Sequence, residues 1–270
     1  MAAADIAART DDPEALHRLR VAIRRMRAAL SILRYAMRGP SPPSLARELR
    51  RLQRRLGAAR EWDVLVDETL AGLPRRLHAR GTTRALIRAA ECQRLHSRMQ
   101  MQTALLDPSS LATLGRLAAW PDRSFGPAAS SQRRWVQAAL AEPATTMAAA
   151  VLARRHRKAR RLGRDLRELD AAALHQFRIR IKKLRYAAEF LGDLWPRRRT
   201  RHYLTALKNL QQALGDWHDM SVAEARVTEL QRHGAEDVAA WLAAGEKRQR
   251  EAALACWHRF ARRSPFWEDD

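Results

Sequence analysis

A chain of 270 residues with a formal charge of +22 and 46% hydrophobic residues can hold one large domain or two halves with cores of their own. It is too apolar for intrinsic disorder, which combines low hydrophobicity with high charge. Charge interrupts every apolar stretch within about a dozen residues, short of the roughly 20 that a bilayer-spanning helix needs, while an excess of cations this large repels itself and implies a polyanion as partner.

Ala, Leu, Arg, Glu and Gln dominate, β-branched runs are missing, and apolar residues recur at steps of three and four. The pattern predicts an all-α protein. Residues 1–5 lack the charged and apolar blocks of a signal peptide. Asp12-Pro13-Glu14 supplies an N-cap with Pro at the first helical position, and the spacing predicts helices over 13–37, 44–58, 62–71, 82–106 and 108–119. The Gly-Pro-rich stretch at 39–43 stops the first of these, and 120–127 reads as the boundary between halves at 1–120 and 125–270. Helices at 131–141, 145–169, 171–194, 197–214, 220–233 and 235–261 follow. Cys92 and Cys256 fall within helical patterns, which reads as buried, reduced thiols and a cytosolic home.

One basic segment occurs twice. Leu16-His17-Arg18-Leu19-Arg20 through Arg27 reappears at an offset of 158 residues as Leu174-His175-Gln176-Phe177-Arg178 through Arg185. Leu49, Leu52, Gln53, Leu56 and Gly57 recur without a gap as Leu207, Leu210, Gln211, Leu214 and Gly215. A period this long reads as two related helical bundles within one domain over 1–270. The copies are unequal, since the helix at 145–169 that precedes His175 has no partner before His17.

On a helical wheel, Leu16, Leu19, Ile23, Met26, Leu30 and Leu33 form an apolar face that packs inward. His17, Arg20, Arg24 and Arg27 form a second stripe about 110° away, repeated as His175, Arg178, Lys182 and Arg185. A stripe so placed flanks the core seam and presents a cation every turn, about 5.4 Å apart. Arg stems often merely cover a core, but this pattern is duplicated, carries His in both copies and has almost no acidic residue within it. Arg50 matches Lys208, and Arg54 lies one turn on from Arg50. His156 and Arg160, with Arg164 and Arg167, form a further flanking stripe. Cations around His17 and His175 disfavour the charged imidazole until an anion arrives, so binding should take up protons and tighten toward acid pH.

At Glu14–Arg20 through Leu30, at Leu174–Arg180 through Phe190, at Leu56-Gly57 with Asp63-Val64, at Leu214-Gly215 with Asp219, and at Pro265-Phe266-Trp267, the chain resembles the CHAD domain family. The family is named for a histidine-bearing α-helical fold. The resemblance implies two pseudo-twofold-related four-helix bundles with a basic central cavity. It also implies binding of inorganic polyphosphate and localisation to polyphosphate granules in the cytoplasm. Carried over by position, the ligands are His17, Arg20, Arg24, Arg27 and Arg50 with His175, Arg178, Lys182, Arg185 and Lys208. Glu61 stands where the family tends to have Asp, and His218 where it tends to have Asn.

The chemistry of other classes is missing from the sequence. No Gly-rich phosphate loop, Cys-x-x-Cys or His-Glu-x-x-His is present, so neither a P-loop enzyme nor a zinc site is indicated, and no cofactor. Asp216-Trp217-His218-Asp219 reads as the N-terminal cap of a helix, and Glu61 and Asp63 as caps of their own helix. No carboxylate pair marks a catalytic centre. Two alternatives to a non-catalytic polyphosphate binder stay open: a binder of RNA or single-stranded nucleic acid, and an accessory module of a polyphosphate- or triphosphate-processing enzyme. Nucleic-acid binders usually add aromatic stacking platforms, and the basic stripes hold none.

Overall fold

Asp12 accepts the Glu14 amide at 2.8 Å and Asp170 accepts the Ala173 amide at 2.7 Å. Each carboxylate thereby satisfies a helix-start donor that has no partner within the helix, and the two caps sit 158 residues apart. They open α1 (Pro13–Ala36) and α8 (Ala171–Leu191) in a computed structural model that describes residues 12–36, 43–120, 143–230 and 235–268. Between them come α2 (Pro43–Arg55), α3 (Gly57–Val64), a π-helical turn at Leu65–Leu70, α4 (Arg75–His78), α5 (Gly81–Leu106), α6 (Pro108–Ala118) and α7 (Ala144–Gly163). A 3-10 turn at Leu166–Glu168 leads into α8. After a second one at Gly192–Leu194 the chain ends in α9 (Arg197–Glu229) and α10 (Glu236–Ala261). No strand occurs among the described residues. The predicted helix at 131–141 and most of the predicted boundary at 120–127 lie outside them.

Several expectations need correction. The break predicted after residue 214 does not exist: α9 continues through Gly215 to Glu229, and Asp216 accepts Gln212 Nε2 at 2.7 Å within that helix instead of capping a new one. A glycine inside a helix costs about 1 kcal/mol. Burial of Leu210, Leu214 and Trp217 along the same helix outweighs that. Met26, expected inward, is 40% exposed, while Leu16, Leu19, Ile23 and Leu30 are buried. Cys92 is exposed and Cys256 half-buried, both as free thiols. No helix among the described residues is long and apolar enough to cross a membrane.

The chain divides into two compact units of interleaved segments. One takes Met1–Arg24, Pro42–Gly126 and Asp219–Lys247; its core gathers Trp62, Leu65, Leu70 and Leu86 with Val227, Val238 and Leu242. Within it the carboxylate of Asp63, completely buried, accepts Arg98 Nε at 3.0 Å and Nη2 at 2.7 Å. That overturns its reading as a cap. The other unit takes Arg25–Ser41, Pro127–His218 and Arg248–Asp270. Its core is more aromatic, with Phe177, Tyr203, Trp217, Trp257, Phe260, Phe266 and Trp267 packed around α7, α8 and α9. Trp257 lies against the backbone of Gly163, where an added Cβ would fall 2.6 Å from ring atoms Cε2 and Cη2. Only glycine lets α7 approach the indole so closely.

Candidate anion-binding site

The two histidine-headed ridges belong to the elements that the caps initiate. In the first unit the apolar face of α1 is buried through Leu16, Leu19 and Ile23, which turns His17, Arg20 and Arg24 to its half-buried flank. Arg20 Nη1 donates to the Gln53 carbonyl at 3.3 Å, tying the ridge to α2. The His17 imidazole is held below its ordinary range. Partial burial is the main cause and the Arg60 guanidinium the next, with Arg24 and Arg20 adding to the effect and Glu14 opposing it.

In the second unit Leu174, Phe177, Ile181 and Leu184 form the buried face of α8, leaving His175, Arg178 and Lys182 along its flank. The His175 ring lies 5.7 Å from the ring of His218 on α9. His175 is lowered by lost hydration and then by Arg178 and Lys182. His218 is driven down to about 3, first by burial, then by Arg178, His175 and Lys182. The first site thus gathers His17, Arg20, Arg24 and Arg60, and the second gathers His175, Arg178, Lys182 and His218.

Sequence reasoning missed Arg60 of α3, and named His218 of α9 only as a departure from the family pattern and part of a helix cap. Arg60 and His218 are equivalent at the 158-residue offset, and each lies beside the heading histidine of its copy. Arg at one position and His at the other do not read as a repeat, so the signal was the offset alone. Arg60 is also bonded to Glu68 at 2.7 Å. Glu61, expected to cap α3, instead accepts Arg226 Nη2 at 2.8 Å, and that guanidinium stands 5.1 Å from the Trp62 ring centroid.

Other expected residues are placed differently. Arg27 lies half-buried on the same flank of α1, and Arg185 Nε donates to Glu189 at 2.7 Å one turn along α8. Arg50, Arg54 and Lys208 are exposed on α2 and α9. His156 is not part of a ridge. Its Nδ1 is 2.8 Å from the Tyr203 hydroxyl, and its ring packs within 6.0 Å of Tyr203, Phe260 and Trp267. Burial and then Arg160 depress it to about 4, which makes it a neutral core residue. Arg160 itself donates to the Ala261 carbonyl.

These depressed imidazoles set a sign for stability. His156 and His218 titrate near 4 and 3 in the folded protein and near about 6.5 in the unfolded chain. Between those limits the unfolded state binds more protons, so stability is full above about pH 6.5 and falls as pH drops through that window. Urea unfolding should give a constant midpoint from pH 8 to 7 and a declining one from pH 6.5 to 5, with a shallower decline in His156→Gln. A flat midpoint down to pH 5 would contradict the placement of both rings.

The described residues contain no group of three or more His, Cys, Asp and Glu that could hold a metal ion. What they offer is an all-α scaffold carrying two clusters of cations around histidine. The CHAD domain family profile matches residues 1–228, and the chain belongs to that family. It is similar to the CHAD domain from the plant Ricinus communis, known from a crystal structure, at 28% sequence identity and a TM-score of 0.74, over 95% of this chain and 85% of that one. No curated protein matches it.

Proposed function

We propose that this protein binds inorganic polyphosphate without catalysis, through His17, Arg20, Arg24 and Arg60 in one copy and His175, Arg178, Lys182 and His218 in the other, with Arg27, Arg50, Arg54, Arg185 and Lys208 as outlying contacts. The observation that carries the reading is the duplicated field itself: in each copy the surrounding cations help to hold an imidazole in its neutral form. That is the electrostatic state of a site awaiting negative charge. Membership of the CHAD family points to polyphosphate as the anion. Guanidinium forks grip phosphate oxygens bidentately and lysine adds a point charge, so a ridge of both suits a flexible strand that carries charge but no bases. The proposal extends to docking on polyphosphate granules, and to the pseudo-twofold bundles and basic cavity that the resemblance implies.

Competition tests it. Long-chain polyphosphate should displace single-stranded RNA at equal phosphate concentration, and the reverse outcome would transfer the function to nucleic acid. If about eight side chains engage, affinity should fall by about 10³-fold between 50 and 200 mM salt as condensed cations are released. A bound phosphate raises the imidazole pKa values, so proton uptake should accompany binding and affinity should be higher at pH 6 than at pH 8. Calorimetry in buffers of different ionisation enthalpy measures that uptake.

A further inference from the structure

A second cationic feature stands apart from the ridges. Arg201, His202 and Asn209 of α9 face Cys256 and Arg259 of α10 and the following Arg263 across a groove of about 330 Å³. At about 100° per residue, His202 and Asn209 occupy the side of α9 opposite His218 and Gln211. The groove is therefore a separate place on the same unit. Its lining contains no carboxylate, and Arg201, Arg259 and Arg263 form no ion pair with any described residue. The one side-chain bond among them runs from Arg259 Nη2 to Cys256 Sγ at 3.1 Å.

The first copy shows what this location holds when it is closed. At the 158-residue offset, Arg259 and Arg263 correspond to Met101 and Leu105, both buried. Ala206, beside the groove, corresponds to Glu48. There α6 packs against α2 and α5, and its Arg116 bonds Glu48 at 2.7 Å. In the second copy guanidiniums stand at the two buried apolar positions and alanine stands at the carboxylate's position.

We infer that the α9–α10 groove is a second anion site, taking a compact oligophosphate of two or three linked phosphates. Arg201, Arg259 and Arg263 all line a volume that suits such an ion, and a guanidinium can chelate two phosphate oxygens. A groove of this size, at the small end of ligand pockets, fits a short anion. The inference does not depend on the ridges.

Cys256 reports on the site directly. In Cys92→Ser protein it is the single thiol, and its alkylation by iodoacetamide can be followed with and without tripolyphosphate at low ionic strength. At tripolyphosphate ten times its Kd, mass action predicts about tenfold slower alkylation. Arg201→Gln with Arg263→Gln, neither of which touches the sulfur, should remove the protection. The ridge variant His17→Ala, Arg24→Glu, His175→Ala, Lys182→Glu should keep it. Equal protection by ATP would identify a nucleotide's phosphate tail as a ligand of the same class, and its absence would identify the free oligophosphate; either outcome keeps the site. No protection by millimolar tripolyphosphate, protection that survives in the groove variant, or protection lost in the ridge variant would each overturn it.

Discussion

Replacing His17 and His175 by Ala together with Arg24→Glu and Lys182→Glu should weaken long-chain polyphosphate binding by about 10³-fold or more at physiological salt while leaving helicity unchanged. A hydrogen bond to a charged group contributes about 1.5–3 kcal/mol. Losing two of the cations alone therefore predicts about 4 kcal/mol, which is roughly three decades in Kd, before repulsion from the new carboxylates is added. All four residues lie on partly exposed flanks of α1 and α8, so circular dichroism should register little. The control is Arg75→Glu with Arg76→Glu on α4, which makes the same change in net charge at two exposed positions. If that control loses as much affinity as the ridge variant, the protein binds through diffuse charge and the ridges have no special role.

The second large effect concerns stability. Asp63→Ala should destabilise the protein by about 3–5 kcal/mol, because it leaves a guanidinium buried without its counter-charge. Asp63 is completely buried and the Arg98 side chain is 9% exposed, with Nη2 at 2.7 Å from Oδ1. Urea unfolding should show a clear drop in midpoint. The double change Asp63→Leu with Arg98→Met should recover most of the loss, since replacing a buried pair by apolar side chains is often neutral or stabilising. A loss below about 1 kcal/mol in the single variant would mean that water reaches Arg98.

How far the fold was legible depended on whether the cause was local. The cap at Asp12, most of the apolar face of α1 and the cationic flanks of α1 and α8 arise within one helix, and the local pattern exposes them, whereas the equivalent cap at Asp170 went unread. The Asp63–Arg98 pair spans 35 residues, and its offset equivalents are Ser221 and Cys256, so duplication gave no hint of it. His156 shows the limit of a helical wheel. Its angular position put it beside Arg160, yet aromatic rings from α9, α10 and the C-terminal segment determine its environment. The break at 214–220 rested on reading Asp216–Asp219 as a cap, and the buried Leu210, Leu214 and Trp217 along one helix override that local signal.

The exchange of Arg60 for His218 makes the twin sites unequal partners. A guanidinium is charged at every physiological pH, whereas an imidazole held near 3 stays uncharged until an anion draws a proton onto it. Under the proposed binding the N-terminal copy would hold one imidazole to be charged by the ligand, whereas the C-terminal copy would hold two, His175 and His218, beside Arg178 and Lys182. With Arg24 matched by Lys182 as well, two of the four paired positions differ, and the proposed sites would draw different numbers of protons from solvent for the same stretch of phosphate.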